Sequence, residues 1–300
     1  MTAFVVDAVE LPVREVCAIG LEAQRLTTRL LQRVRRRDPF AGVWEAADTQ
    51  WWWQQPRPSD EIEHYFWADD EGPVAGFKLT SWSDNKPWQI DPMVVPGVGG
   101  VGLEDVWQRA LTLATDHSPQ GIDIPVRDGD QDLETIVQRD GFVPHEHDGT
   151  AWLAAVDRPV LRPTPRGFVI VDRSQRVGEE HPMRARNGDL VAQRVDECSL
   201  YDPQLDLRVE TEGGQVAGYA LFWFDHVTKV GLVEPVRTED EFQRRGLADA
   251  MLREGIHRLI ERGAERVKIS RTNRRPLRLR TWQWASSPLR QPPGTAAYLR

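Results

Sequence analysis

Between Val233 and Gly263 the chain reads VEPVRTEDEFQRRGLADAMLREGIHRLIERG: an apolar run, an acidic turn, two arginines and a glycine, then a long amphipathic stretch. That order of residue types can build a phosphate pocket. Gly246 lets the backbone approach a ligand closely, and the first helical turn leaves N–H groups unpaired. Arg244 and Arg245 add positive charge where the helix dipole already favours an anion. Leu247, Met251, Leu252, Ile256, Leu259 and Ile260 recur at helical spacing and predict one buried helix face, ending near Gly263. Upstream, strand alternation places Leu232, Glu234, Val236 and Thr238 on one face, with Val233, Pro235 and Arg237 on the other. Pro235 cannot donate to a ladder, so a strand that is otherwise central must bulge or splay there, leaving main-chain groups open beside the anion pocket. An extended, amide-bearing ligand tail can pair with such an edge as an added strand does.

This combination resembles the GNAT superfamily of acyl-CoA-dependent N-acetyltransferases. The signature of that family, Gln/Arg-x-x-Gly-x-Gly/Ala, opens a helix after a splayed strand and stands here as Gln243-Arg244-Arg245-Gly246-Leu247-Ala248. The resemblance implies acetyl-CoA as co-substrate, with the loop amides on its pyrophosphate and Val236, Arg237 and Thr238 along its pantetheine and thioester. It also implies direct attack of an amine on the thioester. An ammonium ion is not nucleophilic, so a base must take its proton, and Glu234 is the candidate beside the thioester. The Val236 amide is the candidate donor to the developing oxyanion. The plainer readings are an ordinary basic helix start for the loop and, for Glu234, an exposed strand carboxylate or a salt-bridge partner.

The elements that position these residues occur twice. HYFWADDEGPVAGFKLTSW reads as strand, turn, strand, and so does LDLRVETEGGQVAGYALFWF, with Val74-Ala75-Gly76-Phe77 matching Val216-Ala217-Gly218-Tyr219. Asp91-Pro92 then matches Glu234-Pro235, and Gly102-Leu103 matches Gly246-Leu247, at an offset of about 143 residues, too long for a solenoid repeat. A duplicated domain follows. The fold expected is α/β, with two tandem GNAT-like domains, each a central mixed sheet with flanking helices. The boundaries are 1–157 for a degenerate first copy, 158–167 (RPVLRPTPRG) for a linker, and 168–300 for the acetyl-CoA-binding copy. The first copy keeps Gly97, Gly99, Gly100 and Gly102 but lacks the arginine pair. As a whole the chain looks like the tandem GNAT proteins.

Composition narrows the class. A formal charge of -8 argues against a nucleic-acid partner, whose backbone rewards a basic surface. No segment is apolar enough for a membrane, and Asp and Glu stand where a secretory leader would be basic, so a cytoplasmic location is expected. Cys17 and Cys198 read as reduced, and no metal site is indicated. His145 and His147 share a strand face, which reads better as a polar strand end than as a metal pair. Arg33, Arg35, Arg36 and Arg37 read as a cationic helix end before Pro39. Trp44, Trp51, Trp52 and Trp53 can line an acceptor pocket between the domains or pack into the core.

Two functions remain open: an acetyl-CoA-dependent N-acetyltransferase acting on an amine of a small molecule or protein, and a non-catalytic acyl-CoA-binding protein. The C-terminus bears on the choice. After Ser270 the chain gives RTNRRPLRLRTWQWASSPLRQPPGTAAYLR, with seven arginines (Arg271, Arg274, Arg275, Arg278, Arg280, Arg290, Arg300) and no acid. Its apolar residues fit neither regular period, and prolines interrupt it. It reads as a basic tail or as translation in a shifted frame, because TWQWASSP can be encoded so that another frame gives Val-Ala-Val-Gly-Phe-Glu-Pro, the Gly-Phe strand that the family pattern expects. On that reading the last strands of the second sheet are absent, and Tyr298 is no substitute for the missing general acid.

Overall fold

The computed structural model describes residues 13–118, 120–271 and 295–299. The first half runs β1 (Arg14–Ala18), α1 (Gly20–Arg37), α2 (Ala46–Trp53), β2 (His64–Asp69), β3 (Gly72–Ser81), β4 (Trp88–Val94), α3 (Leu103–His117), β5 (Ile122–Arg127), α4 (Gln131–Arg139) and β6 (Val143–Ala154). The second runs β7 (Phe168–Asp172), α5 (Arg184–Asn187), α6 (Val191–Asp196), β8 (Asp206–Thr211), β9 (Val216–Asp225), β10 (Val230–Thr238), α7 (Leu247–Glu261), β11 (Arg266–Arg271) and, last, β12 (Thr295–Leu299). The order β2-β3-β4-α3-β5 is repeated as β8-β9-β10-α7-β11, so the repeat in the sequence is also a repeat of elements. Each half is a mixed sheet flanked by helices.

The strands form one ladder in the order β1-β2-β3-β4-β5-β12-β6-β11-β10-β9-β8-β7. Two joins in it were not legible in the sequence. β6 precedes the linker, yet its Gly149 to Ala154 pair antiparallel with β11. β12 follows the second half, yet it lies between β5 and β6 of the first. Tyr298 is thereby opposite Ile124 and Pro144. Residues 272–294, on which the expectation of a shifted frame bears, lie outside the described residues.

Alternation along the strands feeds two faces. On one, α3 and α4 cover the first half around Phe77, Ile90, Trp107 and Ile124, and α7 covers the second around Phe222, Met251, Ile256 and Val267. On the other, α1, α2 and α6 meet in a core that both halves share: Leu30, Leu31 and Trp53 pack with Val191, Val195, Trp223 and Leu232. Polar contacts lock that seam. The buried Gln50 side chain donates to Ser199 Oγ (2.9 Å) and accepts from the Leu200 N–H (2.8 Å), and Arg194 stacks 3.6 Å over the Trp53 ring. Three of the arginines at the end of α1 are spent internally: Arg33 on Asp69 (2.7 Å), Arg35 on Glu45 (2.8 Å) and Arg37 on the Pro96 carbonyl (3.2 Å). Residues 158–167 do not hang free. The Pro159 and Val160 carbonyls accept from His257 and Arg253 (2.6 Å each), and Arg162 pairs with Asp249 at 3.6 Å, so this segment runs antiparallel along α7.

A glycine in mid-helix normally costs stability, yet Gly255 sits inside α7. A Cβ there would lie 2.1 Å from Phe222 Cζ. The ring of Phe222 therefore occupies the space that a side chain would need. Gly255→Ala, which helix propensity alone favours by roughly 1 kcal/mol, is expected to destabilise by about 1–3 kcal/mol through overpacking. Urea unfolding at neutral pH measures the sign.

Candidate active site

β10 changes partners half-way along. It pairs in parallel with β11 from Val230↔Arg266 to Val233↔Ile269, and that ladder stops there. Against β9 the register passes from Val233↔Phe222 to Val236↔Ala220, so β10 holds one extra residue at Glu234-Pro235. The bulge resets the alternation. Val236 and Thr238, opposite Ala220 and Gly218, lie on the α7 side with Val233, whereas Arg237, opposite Tyr219, lies on the other. The expectation that Glu234, Val236 and Thr238 share a face is thus corrected by the residue inserted between them. From Glu234 to Thr238 the edge that β11 would occupy carries no β11 partner. Val236 is 37% exposed there, and Thr238 Oγ1 and Arg237 Nε are buried without partners.

Beyond this edge the chain turns into α7. Gly246 is its N-cap at φ 81 and offers no side-chain cap, and Arg244 also adopts a left-handed φ of 62. Gln243, Arg244, Arg245 and Gly246 are exposed and Ala248 is half-buried, whereas the Leu247 side chain is in the core. Leu247 can therefore offer a ligand only its main chain. Gln243 is turned onto Asp240 (2.9 Å), and the Arg245 guanidinium sits 5.5 Å above the Phe242 ring. An uncapped helix start, two exposed arginines, an unpaired strand edge and an orphaned threonine hydroxyl fit a ligand with an anionic end and an amide-bearing tail, as acetyl-CoA has. The matching start in the first half is closed to anions. There Asp105 accepts from the Gly102 N–H at 3.2 Å, and Glu104 and Asp105 fill the first turn of α3 with negative charge.

Glu234 faces the core shared by the halves. Burial, and then the charge of Asp48, push its carboxyl up to about 7, while Lys268 and a hydrogen bond from Trp51 pull the other way. Asp48 and Lys268 form an ion pair of 2.6 Å in which both side chains are 1% exposed. Lys268 Nζ also donates to the Val43 carbonyl (3.1 Å) and lies 4.9 Å over the Trp44 ring. The Glu234 carbonyl is taken by the Trp223 indole at 2.9 Å.

Asp91, at the matching position of β4, is also pushed to about 7 by burial. Its setting differs. Trp44 Nε1 (2.7 Å) and Gln89 Nε2 (2.8 and 2.9 Å) cover its oxygens, and the residue is buried. β4 nonetheless parts from β5 after Gln89↔Asp123, as β10 parts from β11. The first half thus keeps the splay but plugs it with an indole.

The tryptophan cluster divides between the two uses considered for it. Trp52 and Trp53 are buried packing, Trp44 seals Asp91, and Trp51, half-buried, reaches Glu234. Asp48 and Lys268 escaped the sequence reading. A lone lysine within the alternating run ERVKIS was the available signal. Among the described residues no group of three or more His, Cys, Asp or Glu is placed to hold a metal, and no helix is long and apolar enough to cross a membrane. Cys17 and Cys198 are free.

Because the folded Glu234 carboxyl is raised from 4.5 to about 7, its contribution to stability is full below pH 4.5 and is lost as pH rises through 7. Glu234→Gln removes that loss. Its unfolding free energy is expected to fall less between pH 5 and pH 8 than that of the parent, by on the order of 2–3 kcal/mol, in paired urea titrations.

With this geometry in place, the likeness to known proteins is informative. Residues 167–279 match the model of the acetyltransferase (GNAT) family. No curated protein matches the chain in sequence. Among solved structures, a GCN5-related N-acetyltransferase from Sphaerobacter thermophilus superposes with a TM-score of 0.54 at 17% identity, over 97% of this chain and 96% of its own. A tandem GNAT protein from the clavulanic acid biosynthesis pathway superposes with a TM-score of 0.64 at 11% identity, over 96% of this chain and 97% of its own. At these identities the likeness is one of fold, and it extends over both halves. Residues 167–279 thus match the acetyltransferase (GNAT) family, and the chain as a whole has the fold of a tandem GNAT protein.

Proposed function

We propose that the chain transfers the acetyl group of acetyl-CoA to an amine, with one working centre, in the second half. The observation that carries this reading is the junction of the splayed β10 with an uncapped helix start at Gly246, flanked by Arg244 and Arg245. The N–H groups of Gly246, Leu247 and Ala248 and the two guanidinium groups hold the pyrophosphate, with Gln243 at the mouth of the loop. The edge formed by Val236, Arg237 and Thr238 takes the pantetheine arm as an added strand. Val236 N–H meets the oxygen of the thioester carbonyl as it gains charge. The bulge turns the side chains of Val236 and Thr238 to the α7 face, while Glu234, two residues after Leu232, stays on the α2 face.

Glu234 is then the base. Its carboxylate takes a proton from the bound ammonium, directly or through one water, and the freed amine attacks the carbonyl carbon. The carbon–sulfur bond breaks, the acylated nitrogen gives up its second proton, and the departing thiolate takes that proton, directly or through solvent. A carboxyl held near 7 suits this step, since it can both accept the proton and release it at neutral pH. The first half, with Asp91 sealed and its helix start capped by Asp105, serves as scaffold. The acceptor is an amine of a small molecule or of a protein.

Gly246→Asp puts bulk and negative charge where the pyrophosphate sits, and calorimetry is expected to show acetyl-CoA binding abolished with the first half still folded. Unchanged affinity would end the assignment of the loop. Glu234→Gln is expected to keep acetyl-CoA affinity within about twofold, to lower turnover, and to remove the limb of the pH–rate profile that rises through 7. Release of CoA thiol across a panel of amines reads this out. Binding of acetyl-CoA with no turnover on any amine would select the non-catalytic acyl-CoA-binding reading instead.

A further inference from the structure

The carboxylate at the centre of the second half is not enclosed by the second half alone. α2 belongs to the first half, and one turn of it presents Asp48 and Trp51 to Glu234. Asp48 is fixed from two directions: the Lys268 ammonium at 2.6 Å and, in the capping box that starts α2, the Glu45 N–H at 2.7 Å. Its Oδ1 is buried without a partner. Lys268 comes from β11, the strand that parts from β10 just before Glu234, and its ammonium is anchored on the Val43 carbonyl and over the Trp44 ring. Two elements from different halves thus meet at one ion pair beside the proposed base.

We propose that α2 is part of the acceptor site of the second half, with Asp48, Lys268 and Trp51 acting as positioning residues that hold the Glu234 carboxylate toward the bound amine. The inference rests on the reading of Glu234 as the base. It makes the first half a required component of the working centre, and it explains why a degenerate copy keeps a tryptophan-rich helix in contact with β9 and β10. The groups beside Glu234 are then the Trp51 indole and the Asp48 carboxylate, whose charge Lys268 balances, and an indole and the Glu234 carboxylate suit an ammonium group carried on an apolar or aromatic body.

Charged groups face Glu234 from each element packed around it, and β10 itself carries Arg237, which is held by Glu239 and Asp240. α2 brings Glu45 and Asp48, β11 brings Lys268 and Arg266, and α1 brings Arg35, which neutralises Glu45 at 2.8 Å. β9 contributes the Trp223 indole, on the Glu234 carbonyl. Removal of the Asp48 charge therefore leaves Lys268 to act on Glu234 unopposed, and removal of the Trp51 donor withdraws support from the ionised carboxylate.

The test uses the full chain labelled with 13C at glutamate side-chain carboxyls, and it needs no acceptor. The Glu234 resonance is assigned by its loss in Glu234→Gln, and its midpoint is followed against pH. Asp48→Asn is expected to lower the midpoint by about one unit, and Trp51→Phe to raise it by about half a unit. Thermal melts confirm that each variant is folded; Trp51→Phe, at a half-buried position, preserves the test if Asp48→Asn does not fold. A midpoint unmoved in the folded variants would overturn the inference. The rate profile with the amine panel separates the two readings. If Glu234→Gln keeps the acidic limb, the assignment of the base fails. If it loses the limb while Asp48→Asn and Trp51→Phe leave the limb in place, only the role of α2 fails.

Discussion

Proline has no amide hydrogen, and a proline in the middle of a central strand leaves its neighbour without a donor. The chain places one at the same point in each half, Pro92 in β4 and Pro235 in β10. In both the parallel ladder to the next strand ends just before it. The wedge between β10 and β11 and the exposure of Val236 lie at that missing donor. A sheet that was hydrogen-bonded throughout would present no edge at its centre, and the pocket would have to be built from loops.

One constraint used twice has been put to two ends. In the second half the wedge stays open, and the acid beside it keeps a half-buried indole and an ion pair for company. In the first half Trp44 and Gln89 spend their donors on Asp91, and acidic side chains cap the helix that follows. The backbones differ too, since β10 holds an inserted residue where β4 pairs with β3 in unbroken register, and Gly246 is left-handed where Gly102 is extended. The rest of the asymmetry lies in a few side chains: Trp44, Gln89 and Asp105 close the first site, and Asp48 and Trp51 of α2 stand beside Glu234 of the second.

Much of this was legible in the chain. The stripe from Leu247 to Leu259, the turn at Gly246 and the break at Pro235 are local features, each fixed by residues within a few positions of it, and each is where the pattern put it. The face of Val236 was not, because alternation assumes an unbroken pleat and one inserted residue reverses every side chain beyond it. Asp48 and Lys268 were not either. They lie far apart along the sequence, and only the packing of α2 across the seam makes a pair of them. The joins of β6 and β12 were hidden for the same reason, since a strand records its own period but not its neighbour.

β12 lies between β5 and β6, and it is translated long after both, once the whole of the second half has been made. Until then the first half carries two strand edges that face each other across a gap one strand wide. Such edges are templates for pairing with other chains, so the nascent first half is exposed to association throughout synthesis of the second. The two copies are therefore not independent modules in tandem. A gene cut at the linker would yield a first product with an open slot and a second whose β11 has lost its partner, and the duplication, once interleaved in this way, resists being undone.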